Sequence, residues 1–184
     1  HDMRASGATE DAIRARFLDH FACTPEKFAL ALGIADLQKP VLDAADPMDC
    51  SVYAGIPFCP TRCSYCSFVS CNLDRDRKMV QPYVDCLCKE VAEIRVQAER
   101  AGLTLCSIYI GGGKPSCYGA KRIVEILDEL KRIGNVRLDS EITVEVNPDT
   151  TKLEELKLLR AEGVNRLSIG VQSANNDILK IIGR

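Results

Sequence analysis

Three cysteines lie close together in one short stretch of the chain. Cys59, Cys63 and Cys66 have the spacing C-x3-C-x2-C. Thiolates at this spacing are soft ligands that suit an iron–sulfur cluster or a zinc ion in a closed tetrahedral site. A cube-shaped cluster usually has four cysteine ligands, so three thiolates would leave one iron open to an exogenous ligand. The spacing favours iron–sulfur over zinc, for which Cys71 or Cys50 could complete the set.

Elsewhere in the chain, glycines and single polar residues come directly after short apolar stretches. Gly111, Gly112 and Gly113 come after one such stretch, and glycines there let backbone N–H and C=O groups approach a ligand. Glu145 and Gln172 come at the ends of two later stretches. The Glu145 carboxylate needs a donor, either a ligand or a Lys or Arg of its own fold. Taken singly, each feature has an ordinary structural explanation, such as a tight turn or a structural hydrogen bond.

Repeated strand-then-helix units must position these residues. The predicted strands cover 51–56, 106–110, 142–146 and 164–171, and the predicted helices cover 79–101, 120–133, 153–161 and 175–182. Successive units of this kind predict a parallel sheet with right-handed crossovers, in which ligands bind at the carboxyl ends of the strands. A closed eight-fold barrel needs about 250 residues. The predicted fold class is therefore α/β, a partial (β/α) barrel of about four units.

The residues before this pattern predict a short helical prefix. Thr9 is expected to cap a helix over 11–21, and a second helix begins at Thr24 and ends near Gly33. The chain also stops inside its last predicted unit. We therefore expect two parts, a helical prefix and linker over 1–49 and, over 50–184, the N-terminal part of a barrel domain truncated at its C-terminus.

Composition excludes several classes of protein. The chain has 184 residues, with 24 basic and 26 acidic side chains, a net charge of -2 and no apolar run approaching the ~18 residues of a membrane span. This balance argues against a nucleic-acid module held by phosphate contacts. Ten cysteines without a signal-peptide pattern favour a reducing, cytoplasmic location.

Residues outside the motifs are expected to be structural. Arg166 is predicted to be a buried cation in the same layer as Ser168, by strand alternation. The remaining thiols with no assigned role are expected to be buried, namely Cys23, Cys86, Cys88, Cys106 and Cys117.

Taken together, these residues resemble the radical S-adenosylmethionine (SAM) superfamily, and more closely its oxygen-independent coproporphyrinogen III oxidase branch. The stretches that carry the resemblance are YAGIPFCPTRCSYCSF from Tyr53, YIGGGKPS from Tyr109, EVNPD from Glu145 and GVNRLSIGVQS from Gly163. They cover about residues 50–184 in the order and near the spacing of the family. The resemblance implies a partial barrel of radical SAM type.

The resemblance also implies roles for the matching positions. Cys59, Cys63 and Cys66 would bind three irons of a [4Fe-4S] cluster, and SAM would chelate the fourth. An electron from the cluster would cleave SAM to methionine and a 5′-deoxyadenosyl radical, which would take hydrogen from a propionate of coproporphyrinogen III. No residue is assigned to catalysis. The implied cofactor-binding residues are Tyr53, Tyr65, Gly112, Gly113, Lys114, Glu145, Gln172 and Arg184.

Three positions depart from the family pattern. Lys114 replaces the usual threonine, and its side chain could either pair with the SAM carboxylate or obstruct it. Gly55 replaces a histidine common in other branches, and Phe68 replaces a further cysteine present in some relatives.

The resemblance implies that the full-length protein is an oxidoreductase of haem biosynthesis that converts coproporphyrinogen III to protoporphyrinogen IX, and that this fragment alone is inactive. Two alternatives stay open, a haem chaperone-like relative without decarboxylase activity and a zinc-stabilised binding module. The expected partners are a tetrapyrrole substrate and an electron donor, with no nucleic acid and no membrane. The open sheet edge is expected to promote self-association.

Overall fold

The computed structural model describes residues 1–68, 71–148 and 151–182. It divides into two compact units, His1–Pro47 and Met48–Arg184. No helix among the described residues is both long enough and apolar enough to cross a membrane.

The first unit is helical. Its elements are α1 (Asp2–Ala5), α2 (Glu10–Ala15), a π-helical turn (Arg16–His20) and α3 (Pro25–Asp43). The side chains of Thr9 and Thr24 each accept a hydrogen bond from a backbone N–H three residues later, at 3.3 Å. Both predicted helix starts are therefore confirmed.

The second helix runs much further than the sequence predicted. The expected end near Gly33 is wrong, because α3 continues through Gly33 and Pro40 to Asp43. A glycine inside a helix costs only about 1 kcal/mol relative to alanine, and the residues around Gly33 are mostly strong helix formers. A single glycine is therefore a weak signal for the end of a helix unless a proline follows within about three residues.

The second unit alternates strands and helices. Its strands are β1 (Asp49–Ile56), β2 (Phe58–Cys59), β3 (Cys71–Asn72), β4 (Thr104–Gly112), β5 (Asn135–Val146) and β6 (Arg166–Ile169). Its helices are α4 (Leu73–Asp76), α5 (Val80–Ala101), α6 (Ala120–Leu130), α7 (Leu153–Ala161) and α8 (Asn176–Ile181), with 3-10 turns at Arg77–Met79 and Pro115–Tyr118.

The main sheet is parallel throughout. Its four strands lie in the order β1-β4-β5-β6, and β2 and β3 form a separate parallel pair. β1 and β6 are the outer strands of this sheet, so the described strands form an open part of a barrel. The predicted α/β class with four successive parallel strands is confirmed.

The apolar face of the sheet packs on helices. Val84 and Val91 of α5 and Leu127 of α6 belong to the same buried cluster as Ile108 of β4 and Val144 of β5. Gly102 ends α5 in the left-handed conformation with φ 67°, as its position predicted. Burial of this face provides the hydrophobic stabilisation that holds the strand order.

The opposite face of the sheet carries polar side chains. The register places Tyr53, Tyr109, Thr143 and Arg166 side by side in one row across the four strands. Glu141 accepts hydrogen bonds from the Thr143 hydroxyl at 3.0 Å and from the Arg166 guanidinium at 2.8 Å. The latter bond is the main reason that the pKa of Glu141 is lowered.

Two expectations about burial are wrong. Arg166 shares its face with Ser168, as alternation predicted, but its side chain is 61% exposed because this face is not covered within the described residues. The five thiols expected to be buried are not: Cys86 is exposed on α5, and the other four are only partly buried, namely Cys23, Cys88, Cys106 and Cys117. Cys86 lies two residues from Cys88, and residues two apart on a helix point in different directions.

Two tyrosines that pack on Phe58 differ in the state of their hydroxyl groups. The rings of Tyr83 and Tyr118 lie 5.6 Å and 5.5 Å from that of Phe58. The Tyr83 hydroxyl donates to the Gly55 carbonyl. The Tyr118 hydroxyl is buried, and no partner accepts or donates to it in the part of the chain that the structure describes. Burial strongly raises the pKa of Tyr118.

Replacing each tyrosine by phenylalanine should therefore have opposite effects. We expect Tyr118→Phe to raise the free energy of unfolding by about 1 kcal/mol, because a buried group without a hydrogen bond is removed, and Tyr83→Phe to lower it by about 1 kcal/mol. Urea unfolding at neutral pH measures both.

The raised pKa of Tyr118 also predicts that the stability of the protein depends on pH in the alkaline range. A tyrosine whose pKa is raised in the folded state contributes stability that is present below its ordinary pKa of about 10 and is lost as the pH rises above that value. Tyr118→Phe should thus lose less stability than the parent chain between about pH 9 and 11. At neutral pH, a change in the free energy of unfolding in the same direction for both variants would contradict the difference between the two hydroxyl groups.

Candidate active site at the strand ends

One cavity lies at the carboxyl ends of β1, β4, β5 and β6. Its volume is about 240 Å³, and it is lined by residues at the ends of these strands and in the loops that follow them. Nine of the residues singled out from the sequence line it, namely Cys59, Cys63, Cys66, Tyr65, Gly112, Gly113, Lys114, Glu145 and Gln172. Four separate segments of the chain therefore bring thiols, glycines, a carboxylate and an amide to one place.

One of the predicted cofactor-binding residues lies outside the cavity lining, and another is not among the described residues. Tyr53 does not line the cavity; its ring stacks on that of Tyr109, with centroids 5.6 Å apart and planes 20° from parallel. Arg184 lies outside the described residues, so its predicted contact stays a prediction.

The positions of the other cysteines narrow the choice of a fourth thiolate ligand. Cys50 lies at the start of β1, whereas the Cys59 loop follows the end of that strand. Eight residues of strand separate the two ends by about 20 Å, so Cys50 is excluded as a ligand of the same site. Cys71 remains nearby, because β3 pairs with β2 and places Cys71 opposite Phe58.

The three clustered thiols share a cavity without converging on one point. Across residues 1–68, 71–148 and 151–182, no three side chains of His, Cys, Asp or Glu form a group that could hold a metal ion. In a four-iron cube each thiolate binds a different iron, so the ligands lie further apart than those around one ion. Three soft thiols that line the same cavity fit such a cluster.

Glycines at the end of β4 allow a very close approach to the start of the cysteine loop. A Cβ atom on Gly112, where φ is 114°, would lie 2.8 Å from the Ile56 carbonyl oxygen. On Gly113 it would lie 2.5 Å from the Phe58 carbonyl oxygen and 3.0 Å from the Cys59 sulfur. These positions need glycine because the chain packs against itself, which differs from the ligand approach that the sequence suggested.

The backbone N–H groups of these glycines are already engaged. Gly113 donates to the Ile56 carbonyl at 2.6 Å, and Gly112 donates to Glu145 Oε2 at 3.0 Å. Backbone donation from Gly112 and Gly113 to a bound ligand is therefore not available in this arrangement.

Glu145 is held by neutral donors. Its Oε1 accepts from the Tyr109 hydroxyl at 2.8 Å, and its Oε2 accepts from the Gly112 N–H. A Cβ atom on Gly111 would lie 2.6 Å from the Tyr109 ring and 2.9 Å from the Glu145 carboxyl carbon. The carboxylate thus occupies space that only a glycine at position 111 leaves open.

Two cations line the same cavity. The side chains of Arg62 and Lys114 form no ion pair within the described residues, and no carboxylate other than that of Glu145 lines the cavity there. Lys114 is fixed at its backbone, whose N–H donates to the Phe58 carbonyl at 3.0 Å. Together these cations would attract a carboxylate-bearing ligand.

Gln172 reaches the cavity from a strained backbone position. It follows β6 and has φ 67°, a left-handed conformation that is uncommon for a residue with a side chain. Strain of this kind collects at functional sites, where the surrounding structure maintains it.

Several residues at the site were not singled out from the sequence. Arg62 and Ser168 line the cavity, and Tyr109 lies behind Glu145. Strand alternation could have found Tyr109, since Tyr109 and Gly111 point to the same face of β4. Its hydrogen bond to Glu145 depends on a neighbouring strand whose register the sequence does not specify.

Gly111→Ala tests the packing around Glu145. We expect it to lower the free energy of unfolding by about 1–3 kcal/mol, because the added methyl group overlaps with the carboxylate and the Tyr109 ring. In a Glu145→Ala background the same substitution should cost less, since the carboxylate is gone and the tyrosine can move. Gly113→Ala is the matched control, because its methyl group strikes backbone atoms of the cysteine loop. Equal relief of both alanine substitutions by Glu145→Ala would contradict this packing.

Comparison with known proteins places these features in a family. The model of the radical SAM superfamily matches residues 53–184. The chain is 33% identical over 191 residues to the oxygen-independent coproporphyrinogen-III oxidase-like protein HemZ of Bacillus subtilis, covering 100% of this chain and 38% of that protein. It is 38% identical over 135 residues to the heme chaperone HemW of the same organism, covering 73% of this chain and 35% of that protein.

A solved structure gives the same result. The coproporphyrinogen III oxidase HemN from Escherichia coli, described as a radical SAM enzyme, matches with a TM-score of 0.66 and 30% identity over 74% of this chain and 30% of that one. The chain spans little more than a third of the length of the curated relatives, at 38% and 35%. The partial parallel barrel, the thiol-lined cavity at its strand ends and these matches agree, and the chain belongs to the radical SAM superfamily.

Proposed function

We propose that the full-length protein is a radical SAM enzyme that decarboxylates coproporphyrinogen III oxidatively, without oxygen, to protoporphyrinogen IX. The observation that carries the proposal is the single cavity in which three thiols, a glycine run and the fixed Glu145 carboxylate meet. Relatives named for this oxidase activity, from Escherichia coli and, as an oxidase-like protein, from Bacillus subtilis, support the choice of reaction.

The residues of the cavity divide into two groups by chemistry. Cys59, Cys63 and Cys66 are the proposed ligands of a [4Fe-4S] cluster, since thiolates suit iron and all three line the same cavity. When bound, the cluster and SAM supply the one-electron chemistry that removes a hydrogen atom from the substrate, which protein side chains cannot supply. The protein itself orients these groups and keeps water from them.

The remaining residues are proposed to orient SAM. Glu145 presents a carboxylate that attracts a positively charged or hydrogen-bond-donating group. Lys114 presents a positively charged ammonium group, and we assign it to the SAM carboxylate. Its place in the cavity lining supports this pairing over steric obstruction of SAM. Gln172 and Tyr65 line the same cavity and would provide a polar and an aromatic contact. Tyr53 and Arg184 stay as proposed contacts on the strength of the family resemblance.

The tetrapyrrole substrate is proposed to bind next to this cavity rather than inside it. Each reacting propionate would lose one hydrogen atom to the radical that SAM supplies, then carbon dioxide and one further electron, which a one-electron acceptor must take up, to become a vinyl group. The carboxylates of the tetrapyrrole are anionic, so an unpaired cation such as Arg62 at the cavity wall would favour their approach. An electron donor is a further proposed partner, and a reducing compartment such as the cytoplasm suits exposed thiols.

A second candidate function is that of a haem chaperone-like relative without decarboxylase activity. Identity of 38% to a protein named as a heme chaperone favours it. Against it stands Gly55, which replaces a histidine that members of that group usually keep. A zinc-stabilised binding module is a third candidate, for which Cys71 beside β2 offers a fourth thiol.

The open sheet edge supports a further proposal about association. Leu167 and Ile169 of the outer strand β6 are 38% and 50% exposed. Exposed strand edges of this kind invite pairing with another chain, which light scattering of the isolated chain would measure.

Cluster assembly tests the proposed ligands. After anaerobic reconstitution with iron and sulfide, we expect the reduced protein to give a paramagnetic resonance spectrum of a cubane that changes on addition of SAM. Cys63→Ala should abolish that signal, because it removes one of only three thiolates. Cys86→Ala is the matched control, since Cys86 is exposed on α5 and should leave the signal unchanged. Bound zinc without acid-labile sulfide would contradict the proposal and favour the binding module.

Turnover tests the proposed reaction. The reconstituted full-length protein, supplied with SAM, a reductant, a one-electron acceptor and coproporphyrinogen III, should form protoporphyrinogen IX, measured by chromatography after oxidation to the porphyrin. A Cys63→Ala variant should form none. A protein that assembles the cluster and binds SAM, yet only binds haem in a titration and forms no product, would favour the chaperone-like function instead.

A further inference from the structure

Tyr109 holds a position behind the cavity. It lies directly opposite Tyr53 in the parallel pairing of β4 with β1, and it is half-buried. It does not line the cavity, whereas Glu145, to which its hydroxyl donates, does. Any effect of Tyr109 on a bound ligand is therefore indirect, and its hydrogen bond to the Glu145 carboxylate can transmit it.

The hydrogen bonds to Glu145 fix its orientation without neutralising its charge. Each carboxylate oxygen accepts one bond from an uncharged donor, the Tyr109 hydroxyl or the Gly112 N–H. Each oxygen keeps further acceptor capacity for a ligand. Among the described residues no Lys or Arg pairs with Glu145, so the full negative charge remains available at the cavity wall. A lysine or arginine in the place of Tyr109 would have cancelled that charge.

The surroundings of Tyr109 keep it in the donor role. Its ring stacks on Tyr53, which limits the directions in which the hydroxyl can point. A hydrogen bond with Ser168 lowers the pKa of Tyr109, while the bond to Glu145, burial and the Glu145 charge raise it, with a net upward shift. The phenol thus stays protonated at neutral pH and can donate to the carboxylate.

We propose that Tyr109 is a positioning residue of the SAM site, which holds the Glu145 carboxylate in the orientation that meets SAM and is braced by stacking on Tyr53. This inference rests on the proposed function, because it takes SAM as the ligand that Glu145 contacts. Gly111 completes the arrangement, since its missing side chain leaves room for both groups.

Equilibrium binding of SAM to the reconstituted full-length protein tests the proposal. Tyr109→Phe keeps the ring and its stack but removes the donor, and we expect the Kd for SAM to rise about tenfold. In a Glu145→Ala background, the same substitution should change the Kd by less than about twofold, because Tyr109 then has no carboxylate to orient. Tyr118→Phe is the matched control; it also removes one tyrosine hydroxyl, and its Kd should equal that of the parent. Thermal unfolding of each variant reports that it is folded.

The outcomes separate this inference from the proposed function. A parent protein that carries the cluster and binds no SAM overturns the proposed function, and the role of Tyr109 with it. SAM binding with an unchanged Kd in Tyr109→Phe overturns the positioning role alone. An equal fold-change in Kd in the parent and Glu145→Ala backgrounds also overturns it, because a purely structural role of the tyrosine does not depend on the carboxylate.

Discussion

The close contact between the glycine run after β4 and the start of the cysteine loop determines the rest of the site. Residues 111–113 pass so near to residues 56–59 and to Glu145 that a Cβ atom at any of the three glycines would come within 3.0 Å of another atom. Two backbone hydrogen bonds, from Gly113 to Ile56 and from Lys114 to Phe58, tie the segments together. The position of the Cys59 sulfur and that of the Glu145 carboxylate both follow from this packing.

The two faces of the sheet make different demands on the sequence. One face is apolar and is buried under helices, as in parallel α/β proteins generally. The other carries hydroxyl, carboxylate and guanidinium groups that satisfy one another across strands, such as Ser51 with Ser107 and Glu141 with Arg166. A polar inner face of this kind suits a barrel whose interior admits polar ligands rather than one filled with aliphatic side chains. Tyr109 and Glu145, which are joined by a hydrogen bond next to the cavity, belong to the same polar face.

Periodicity and end signals in the sequence predicted much of the fold. The bounds of α7 and the end of α5 at Gly102 follow from local patterns, and the parallel direction of the four main strands follows from the alternation of strands and helices. The extent of α3 does not, because a glycine and a proline inside a helix are tolerated when neighbouring residues favour the helix. The prediction that strand ends would carry the site residues rested on topology, and nine of those residues indeed line one cavity.

Contacts between strands limited what the sequence could reveal about the site. The spacing of the three thiols was readable because it is local. The partners of Glu145 were not, since Tyr109 and Gly112 lie on another strand whose register fixes the hydrogen bonds. The reason for the glycines was also hidden, because it depends on the backbone of residues more than fifty positions earlier.

The central claim is that this cavity holds a [4Fe-4S] cluster on Cys59, Cys63 and Cys66 with SAM beside Glu145. An anaerobic crystal structure of the reconstituted full-length protein with SAM tests it most directly. We expect anomalous iron density bonded to the three sulfurs, and SAM in contact with both the cluster and the Glu145 carboxylate. Metal density bonded to Cys71 together with these thiols, or SAM bound away from this cavity, would contradict it.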